Sequence, residues 1–307
     1  MSRYNNCHKH DIYGNPRALD VIVKPVDYIK RAKELDGDKA IFFSTNHGYQ
    51  GNIYEYYSLC KEYNVKLMAG VEAYYVPNRL EKDRRNYHLL IIALNNDGYK
   101  EINKIMSEAN ISGFYYKPRI DDELLFSLNP KNVVVTTACV AGRLRDDEGL
   151  DEWILKMKEF FGNNFYLEVQ NHNEEIQKNH NIKLIKYANK YNVELIHAND
   201  SHYINKEDSK YRNLFLKAKG IVYEEESNFI LDYPTYDEIV ERYKIQGVLT
   251  DNQIKEALNN TLIFDNCEGI KLDTDIKLPS ISSNPNKELR EILNNELEKV
   301  NKDEYEK

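Results

Sequence analysis

Two short motifs, Cys7-His8-Lys9-His10 and Asp200-Ser201-His202, determine which fold this sequence predicts. The first ends a predicted strand over residues 4–10, where side chains two apart share a face and both imidazoles point the same way. Two neutral imidazoles side by side can bind one divalent metal ion. Alone, H-x-H is more often a pair of surface histidines. The second motif has the same spacing at the end of a later predicted strand and favours a shared site.

Predicted strands and helices alternate between these motifs. The strands cover 39–44, 66–74, 87–94, 133–137, 165–170 and 193–198, and the helices cover 25–35, 51–63, 97–109, 150–161 and 174–191. Strands that alternate with helices run parallel, with the helices outside. About seven such units suit a closed α/β barrel of the TIM type better than an open sheet, and such a barrel carries its functional residues at the C-terminal ends of the strands.

Six residues able to bind metal lie at or just after the C-terminal ends of these strands. Glu72 and His88 fall within their strands, which leaves their register undetermined, and Asp20 follows a loop. A closed barrel makes its first and last strands neighbours, so the H-x-H pair is expected beside the D-x-H pair. The candidates outnumber the ligands of one tetrahedral ion, so we expect two or three ions that share bridging carboxylates. The nine candidates are His8, His10, Asp20, His47, Glu72, His88, Cys139, Asp200 and His202.

Composition narrows the class of protein. The 307 residues are 41% hydrophobic and 30% charged, which is typical of a soluble globular chain with one large domain or a domain and an appendage. No apolar run approaches the roughly 18 residues that span a bilayer, and no signal peptide is evident, so we expect a cytoplasmic protein without a membrane partner. The four cysteines form no C-x-x-C pair, which argues against a disulfide framework or zinc knuckle. The net charge of −8 argues against broad nucleic-acid binding but not against binding at a metal site.

Seven stretches together carry a family resemblance. They are His8-Lys9-His10, Thr45-Asn46-His47-Gly48, Gly70-Val71-Glu72-Ala73-Tyr74, His88-Leu89, Gly113-Phe114-Tyr115-Tyr116-Lys117-Pro118-Arg119-Ile120-Asp121, Thr137-Ala138-Cys139-Val140-Ala141-Gly142 and Asn199-Asp200-Ser201-His202-Tyr203. The chain resembles, over nearly its whole length, the polymerase and histidinol phosphatase (PHP) domain that opens the alpha subunit of bacterial replicative DNA polymerase III. The fifth and sixth stretches are typical of the polymerase branch rather than of the stand-alone phosphatases.

The resemblance implies a distorted seven-stranded (βα) barrel, the PHP fold, with a trinuclear metal centre. All nine ligand positions hold a residue able to bind zinc, manganese or iron, and His8, His10, Asp200 and His202 are the expected catalytic core. Asn46 stands where the family usually has aspartate, which removes a charge beside the site. Arg119 and Arg143, in the polymerase-specific stretches, are candidate phosphate contacts.

The resemblance also divides the chain. Residues 1–275 correspond to the PHP domain, and residues 276–307, which contain Leu278-Pro279, form an appendage that resembles the entry to a polymerase palm. The D-x-D motif Asp273-Thr274-Asp275 lies in the polar connector, so we expect no polymerase active site in this chain. Whether the chain is part of a longer polymerase or an independent PHP protein stays open.

Three functions compete. The first is a metal-dependent phosphoesterase, in particular a proofreading 3′–5′ exonuclease with a DNA 3′ end and the remainder of a replicative polymerase as partners. The second is a phosphatase of small phosphate esters. The third is a non-catalytic platform that stabilises a polymerase and contacts other replisome proteins. His172, His180 and His197 lack partners at ligand spacing and are interpreted as ordinary surface or hydrogen-bonding histidines, and Tyr115 and Tyr116 are candidates for stacking on a base.

Overall fold

The computed structural model describes residues 2–221, 228–277, 279–280 and 282–300. The chain divides into two compact units, Met1–Lys271 and Leu272–Lys307. The first unit contains all nine candidate ligands, and the second contains one helix, Pro285–Leu297, in which no residue is buried. The division at residue 275 and the likeness of the later residues to a polymerase palm stay predictions, and Leu278 lies outside the described residues.

The first unit has a mixed α/β architecture. Its strands are β1 (Ile41–Ser44), β2 (Lys66–Tyr75), β3 (Tyr87–Ala93), β4 (Phe114–Tyr115), β5 (Lys117–Ile120), β6 (Val133–Thr136), β7 (Phe165–Val169) and β8 (Glu194–His197). Its helices are α1 (Pro25–Asp36), α2 (Ile53–Glu62), α3 (Asn96–Ile111), α4 (Asp122–Leu125), α5 (Leu150–Phe161), α6 (Glu175–Tyr191), α7 (Ser209–Ala218), α8 (Tyr236–Gln246) and α9 (Asp251–Asn260). Within the described residues, no helix has the length and apolar character needed to cross a bilayer.

Local sequence accounts for several helix boundaries. Pro25 occupies the first turn of α1, where its missing N–H would have no helical partner in any case. Thr235 and Thr250 begin α8 and α9 with capping boxes, in which each threonine hydroxyl accepts a main-chain N–H three residues later. These two helices were not among the predicted elements, although their capping residues were visible in the sequence.

One sheet joins the strands in the order β4-β5-β2-β3-β6-β7-β8, with β1 also paired to β2. The pairs β1–β2, β2–β5, β6–β7 and β7–β8 are parallel. β3 is antiparallel to both β2 and β6, so the prediction that the barrel strands all run parallel is wrong for β3. A parallel return needs a crossover, usually a helix, and residues 76–86 between β2 and β3 contain none, so the chain turns straight back.

Residues 4–10 contact both ends of this sheet without forming a regular strand. Lys9 makes one parallel bridge to Ser201, and the His10 N–H donates to the Ser201 carbonyl at 2.9 Å. On the other side, the Lys9 N–H donates to Thr45 Oγ1 at 3.0 Å, and the Thr45 hydroxyl donates to the Lys9 carbonyl at 2.8 Å. The barrel prediction is therefore confirmed only in part, as a curled sheet that continues through β1, β2, β3, β6, β7 and β8.

The core lies on the inner face of the curled sheet, where alternate strand residues meet. It contains Ile41, Phe43, Met68, Leu90, Ile92, Val134 and Ile196, all nearly inaccessible to solvent. Phe264, after α9, packs edge-on against Phe43 with ring centroids 5.0 Å apart. Lys66, the first residue of β2, donates to the Phe264 carbonyl at 3.2 Å, so this apolar layer lies towards the start of the parallel strands and leaves their C-terminal ends to polar side chains.

Candidate metal centre

The nine predicted ligands come together at one end of the sheet. His47, Cys139 and Asp200 each follow the C-terminal end of a parallel strand by three residues, and Glu72 lies in the C-terminal half of β2. His88 is the second residue of β3 and pairs with Tyr74, so the antiparallel direction of β3 brings the start of that strand to the same end. The sequence alone left the register of His88 undetermined.

Tight turns present several of these ligands. Ala138, next to Cys139, and Asp200 are non-glycine residues with φ of 55° and 52°, a left-handed conformation that costs on the order of 1–3 kcal/mol and is concentrated at functional sites. Gly48 follows His47 with φ +52°, and a Cβ there would lie 2.8 Å from the Tyr74 ring. A Cβ on Gly142 would lie 2.1 Å from the Thr137 carbonyl oxygen. Both motif glycines are therefore required by the backbone that carries the ligands.

The first group of ligand atoms lies where the H-x-H and D-x-H motifs meet. His8 Nε2 lies 3.4 Å from Glu72 Oε2 and 3.5 Å from Asp200 Oδ1. His10 Nε2 lies 3.2 Å and 3.0 Å from the same two oxygens. Four ligand atoms about 2.0–2.2 Å from one tetrahedral ion lie about 3.3–3.6 Å apart, so the group has nearly the spacing of a metal cage.

A second group forms around the other oxygen of the same glutamate. Glu72 Oε1 lies 2.9 Å from His88 Nδ1 and 3.8 Å from Cys139 Sγ, and these last two atoms are 3.4 Å apart. His47 Nδ1 approaches Glu72 Oε2 at 2.8 Å. Glu72 therefore lies between the first and second groups, in the position of a bridging carboxylate.

The third group lies around Asp20. Its Oδ2 is 3.5 Å from His202 Nε2 and 3.8 Å from His47 Nε2. The His10 ring lies against both imidazoles, with centroid distances of 4.2 Å to His47 and 4.7 Å to His202. The three groups are therefore continuous, and Asp20, the candidate in the most irregular loop, belongs to them.

These side chains fit a multinuclear metal centre because several of their inward atoms lack hydrogen-bond partners among the described residues. Buried polar atoms in native proteins are nearly always hydrogen-bonded. In the described part of the chain, five atoms that face one another are buried without a hydrogen-bond partner: His8 Nε2, His10 Nε2, His47 Nδ1, Glu72 Oε2 and Asp200 Oδ1. Divalent cations would satisfy all of them, and the mixed nitrogen, oxygen and sulfur donors suit zinc, manganese or iron.

The electrostatics of the centre also favour the binding of cations. Burial alone would raise the pKa of the Glu72 carboxyl, but the surrounding imidazoles, His47 foremost, hold it well below its usual range. Burial opposes protonation of His10, yet the neighbouring carboxylates of Asp200 and Glu72 raise its pKa to about 9. Without metal, the raised pKa values of His8 and His10 keep protons on these two imidazoles, whereas burial lowers the pKa of His47 to about 4. Metal binding would displace the two protons, because ligands bind in the unprotonated form.

Glu168, in β7, is a functional residue that the sequence reasoning missed. Its Oε1 lies 2.8 Å from His8 Nδ1 and accepts from Gln170 Nε2 at 2.9 Å, and its Oε2 accepts from the Thr136 hydroxyl at 2.5 Å. A carboxylate on the outer nitrogen of a ligand histidine fixes its tautomer and orientation, so Glu168 directs His8 Nε2 into the centre. The available signal was a single charged residue inside the otherwise uncharged strand Phe165–Val169.

His202 is oriented in a comparable way by the main chain. Its Nδ1 lies 2.7 Å from the carbonyl oxygen of Asp200, which leaves Nε2 directed towards Asp20. The D-x-H motif therefore supplies two ligand side chains and also the main-chain group that orients one of them.

Asn46, the departure from the family pattern, joins two loops of the centre. Its Oδ1 accepts the Asp11 N–H at 2.9 Å, and its Nδ2 donates to the Tyr56 hydroxyl at 3.1 Å and to Asp11 Oδ1 at 3.3 Å. Asp11 follows the H-x-H motif directly, and Asn46 precedes His47. The Asn46 amide donates a hydrogen bond to the buried Asp11 carboxylate. An ionised aspartate at position 46 has no side-chain N–H group and could not donate this bond.

The two arginines predicted as phosphate contacts have other partners. Arg119 is 2% exposed, and its guanidinium donates at 2.6–2.9 Å to the main-chain carbonyls of Arg79, Glu81, Asp83 and Gly113. Arg143 donates to the Asp146 carbonyl at 2.9 Å and to that of Glu148. Because both guanidinium groups brace loops through carbonyl oxygens, we do not retain them as phosphate contacts.

The three remaining histidines are all buried, so the surface interpretation is wrong for them. His197 is a hydrogen-bonding histidine, with Nδ1 2.8 Å from the Tyr243 hydroxyl and Nε2 2.9 Å from Asn199 Oδ1. His172 stacks on Phe229 at 4.4 Å, and neither of its ring nitrogens has a hydrogen-bond partner among the described residues. Because His172 packs against a ring that is distant in the sequence, the spacing of residues could not predict that His172 is buried.

The chain is similar to a known protein family and to several curated proteins. The family model of the PHP domain matches residues 15–172. A DNA polymerase III subunit alpha of Borreliella burgdorferi is 30% identical over 291 residues, which are 88% of this chain and 24% of that protein. A DNA polymerase III subunit alpha of Aquifex aeolicus is 36% identical over 217 residues, which are 65% of this chain and 18% of that protein. The chain thus spans about a quarter or less of the length of these relatives. Because the family model covers more than half of its residues, the chain belongs to the PHP domain family.

Proposed function

We propose that this chain is a metal-dependent phosphoesterase with two or three divalent ions at the described centre. The observation that carries the proposal is the convergence of nine ligand-type side chains. Seven of them form groups that could hold a metal ion, and five of their facing atoms are buried without a hydrogen-bond partner among the described residues. His8, His10, Glu72 and Asp200 would hold one ion, Glu72, His88 and Cys139 a second, and Asp20, His47 and His202 a third.

Ions bound there would activate water for in-line attack on phosphorus and neutralise charge on the phosphoryl oxygens. The residues of the chain hold the geometry that this chemistry needs. Glu72 keeps the first two groups at a fixed separation, and Glu168 and the Asp200 carbonyl lock the rings of His8 and His202. No side-chain nucleophile is required, and residues 4–10, which join the two ends of the sheet, complete the ring of ligands.

We further propose that the substrate is the 3′ end of DNA and that the reaction is 3′–5′ exonucleolytic proofreading beside a replicative polymerase. Support comes from relatives that are DNA polymerase III alpha subunits. The polymerase-specific hairpin offers a second argument, because Tyr116 is 63% exposed and Arg84 lies 4.0 Å from the centroid of its ring. An exposed tyrosine backed by an arginine is suited to stacking on an unpaired base.

The test is hydrolysis of a 3′-labelled primer by the purified chain with zinc, manganese or iron, and with chelator. We expect metal-dependent release of the terminal nucleotide. Asp200→Asn keeps shape but removes a charge, and we expect activity to fall by about 100-fold or more, the scale of about 3 kcal/mol of lost stabilisation. Asp97→Asn, an exposed carboxylate on α3 that pairs with Lys100, is the matched control and should be active.

Other outcomes would select the alternatives. Hydrolysis of small phosphate esters without hydrolysis of DNA would replace the exonuclease by a phosphatase of the same metal chemistry. Inactivity with every metal on both substrates would leave the platform function. Cleavage that persists in Asp200→Asn would identify a contaminating nuclease and remove the support for this proposal.

A further inference from the structure

Lys117 is a cation beside the candidate metal centre, and it belongs to none of the three ligand groups. It begins β5, one residue after Tyr116, whose φ of 61° turns the β4–β5 hairpin through a left-handed residue. Its half-buried side chain places Nζ 4.1 Å from the centroid of the Tyr74 ring. The same ring lies parallel to the His47 imidazole at 6.0 Å and edge-on to the His88 imidazole at 5.5 Å. The Tyr74 ring therefore contacts both the ammonium and two of the candidate ligands, which places Lys117 beside the centre.

The charges around Lys117 favour the binding of an anion. In the described part of the chain, no carboxylate forms an ion pair with Nζ and no oxygen accepts a hydrogen bond from it. Burial lowers the pKa of the lysine, and the groups that oppose this effect include Glu72, Asp20 and Cys139, one or more from each ligand group. Once cations neutralise those ligands, the ammonium faces a net positive centre, and an anion between them would be attracted from both sides.

We propose that the Lys117 ammonium binds the phosphoryl group of the substrate from the Tyr74 side of the metal centre. The inference rests on the proposed phosphoesterase function and deepens it by naming a substrate-contacting residue. Lysine suits this role because its three donors rotate freely around a point charge, so it can follow phosphoryl oxygens as their charge changes. The interaction applies equally to the last phosphodiester at a DNA 3′ end and to a small phosphate ester.

The experiment measures binding of inorganic phosphate to the metal-loaded chain by calorimetry, beside the kinetic constants on the labelled primer. We expect Lys117→Met to weaken phosphate binding by about 10- to 100-fold, the range for a hydrogen bond to a charged group, and Lys117→Arg to restore most of it. The matched control is Lys156→Met, which removes a lysine that lies 4.4 Å from the centroid of the Phe126 ring. That variant should bind phosphate like the unmodified chain.

A purely structural role of Lys117 predicts a different pattern. Loss of its contact with Tyr74 alone would lower the melting temperature and leave phosphate binding unchanged, and that result would overturn the inference. Absence of phosphate binding by the unmodified metal-loaded chain would also overturn it. Phosphate binding that depends on Lys117 in a chain that hydrolyses nothing would uphold the anion site and reject only the phosphoesterase function. Hydrolysis with an unchanged KM and unchanged phosphate binding in Lys117→Met would reject only the inference.

Discussion

Replacing Glu168 by glutamine tests how far the metal centre depends on a residue that is not itself a ligand. The carboxylate accepts one hydrogen bond each from His8, Thr136 and Gln170. Glutamine keeps the shape, but one oxygen becomes an NH₂ group and the charge is lost. If the amide oxygen faces His8, the NH₂ group meets Thr136 Oγ1, which would have to reverse its hydrogen bond.

The magnitude follows from the bond that changes most. The contact between His8 and Glu168 is charge-assisted, and such a bond is roughly twice as strong as a neutral one. Exchange of this charge-assisted bond for a neutral one costs about 1–2 kcal/mol, close to the 10- to 100-fold loss of metal affinity that is typical when the outer partner of a ligand histidine is mutated. We therefore expect Glu168→Gln to bind its most tightly held ion about 10- to 100-fold more weakly.

The assay is a competition titration against a metal-responsive fluorescent chelator of known affinity. Asp121→Asn is the control, because Asp121 is also a buried carboxylate, paired to Arg79 at 2.8 Å, but takes no part in the ligand groups. We expect this control to melt at a lower temperature and to retain its metal affinity. A folded Glu168→Gln variant with metal affinity within about threefold of the unmodified chain would refute the role assigned to Glu168.

Three further outcomes follow from the site and the core. Removal of metal should lower the melting temperature by several degrees, because ions at 100 times their dissociation constant contribute about 2.7 kcal/mol to stability; an unchanged melting curve after verified removal would contradict this. Asn46→Asp should destabilise the fold by about 1–3 kcal/mol in denaturant unfolding, because two buried carboxylates would then face each other at Asp11, and equal stability would contradict the loop-joining role. Burial lowers the pKa of His180 to about 4, so between pH 6.5 and pH 4 the unfolded chain binds a proton that the folded chain does not bind. The free energy of unfolding therefore falls as the pH drops from 6.5 towards 4. Unfolding of His180→Gln at several pH values in that range should show a slope shallower by about 1.4 kcal/mol per pH unit, and an unchanged slope would assign the proton uptake to other groups.

Local signals in the sequence predicted most of the regular elements of the first unit. The run of β-branched residues in β6 and the helical periodicity of α1 and α5 place these elements within one or two residues of the observed bounds. The direction of β3 could not be read in this way, because it depends on whether residues 76–86 pack as a helix, and that is a tertiary property.

The candidate site was likewise predictable from the sequence only in part. Side-chain type and strand-end position selected six of the nine residues that the fold brings together, and side-chain type alone suggested Asp20, Glu72 and His88. The partners of Arg119 could not be predicted, since its hydrogen-bond acceptors are main-chain carbonyls, which every residue type provides. The contact between Glu168 and His8 joins residues 160 positions apart, a separation at which sequence spacing carries no geometric information.

The attachment of residues 4–10 to the far end of the sheet has a consequence for biosynthesis. Asn6 Nδ2 donates to the Ser201 hydroxyl across 195 positions of the chain, so the surroundings of His8 and His10 cannot form until this later segment has been synthesised. At about 5–20 residues per second, that wait is about 10–40 s. During this interval His8 and His10 are neither buried nor paired with Asp200, and any cation they meet is held weakly. A metal ion at the proposed centre would therefore bind after residues 200–202 have been synthesised, rather than direct the folding of the earlier part of the chain.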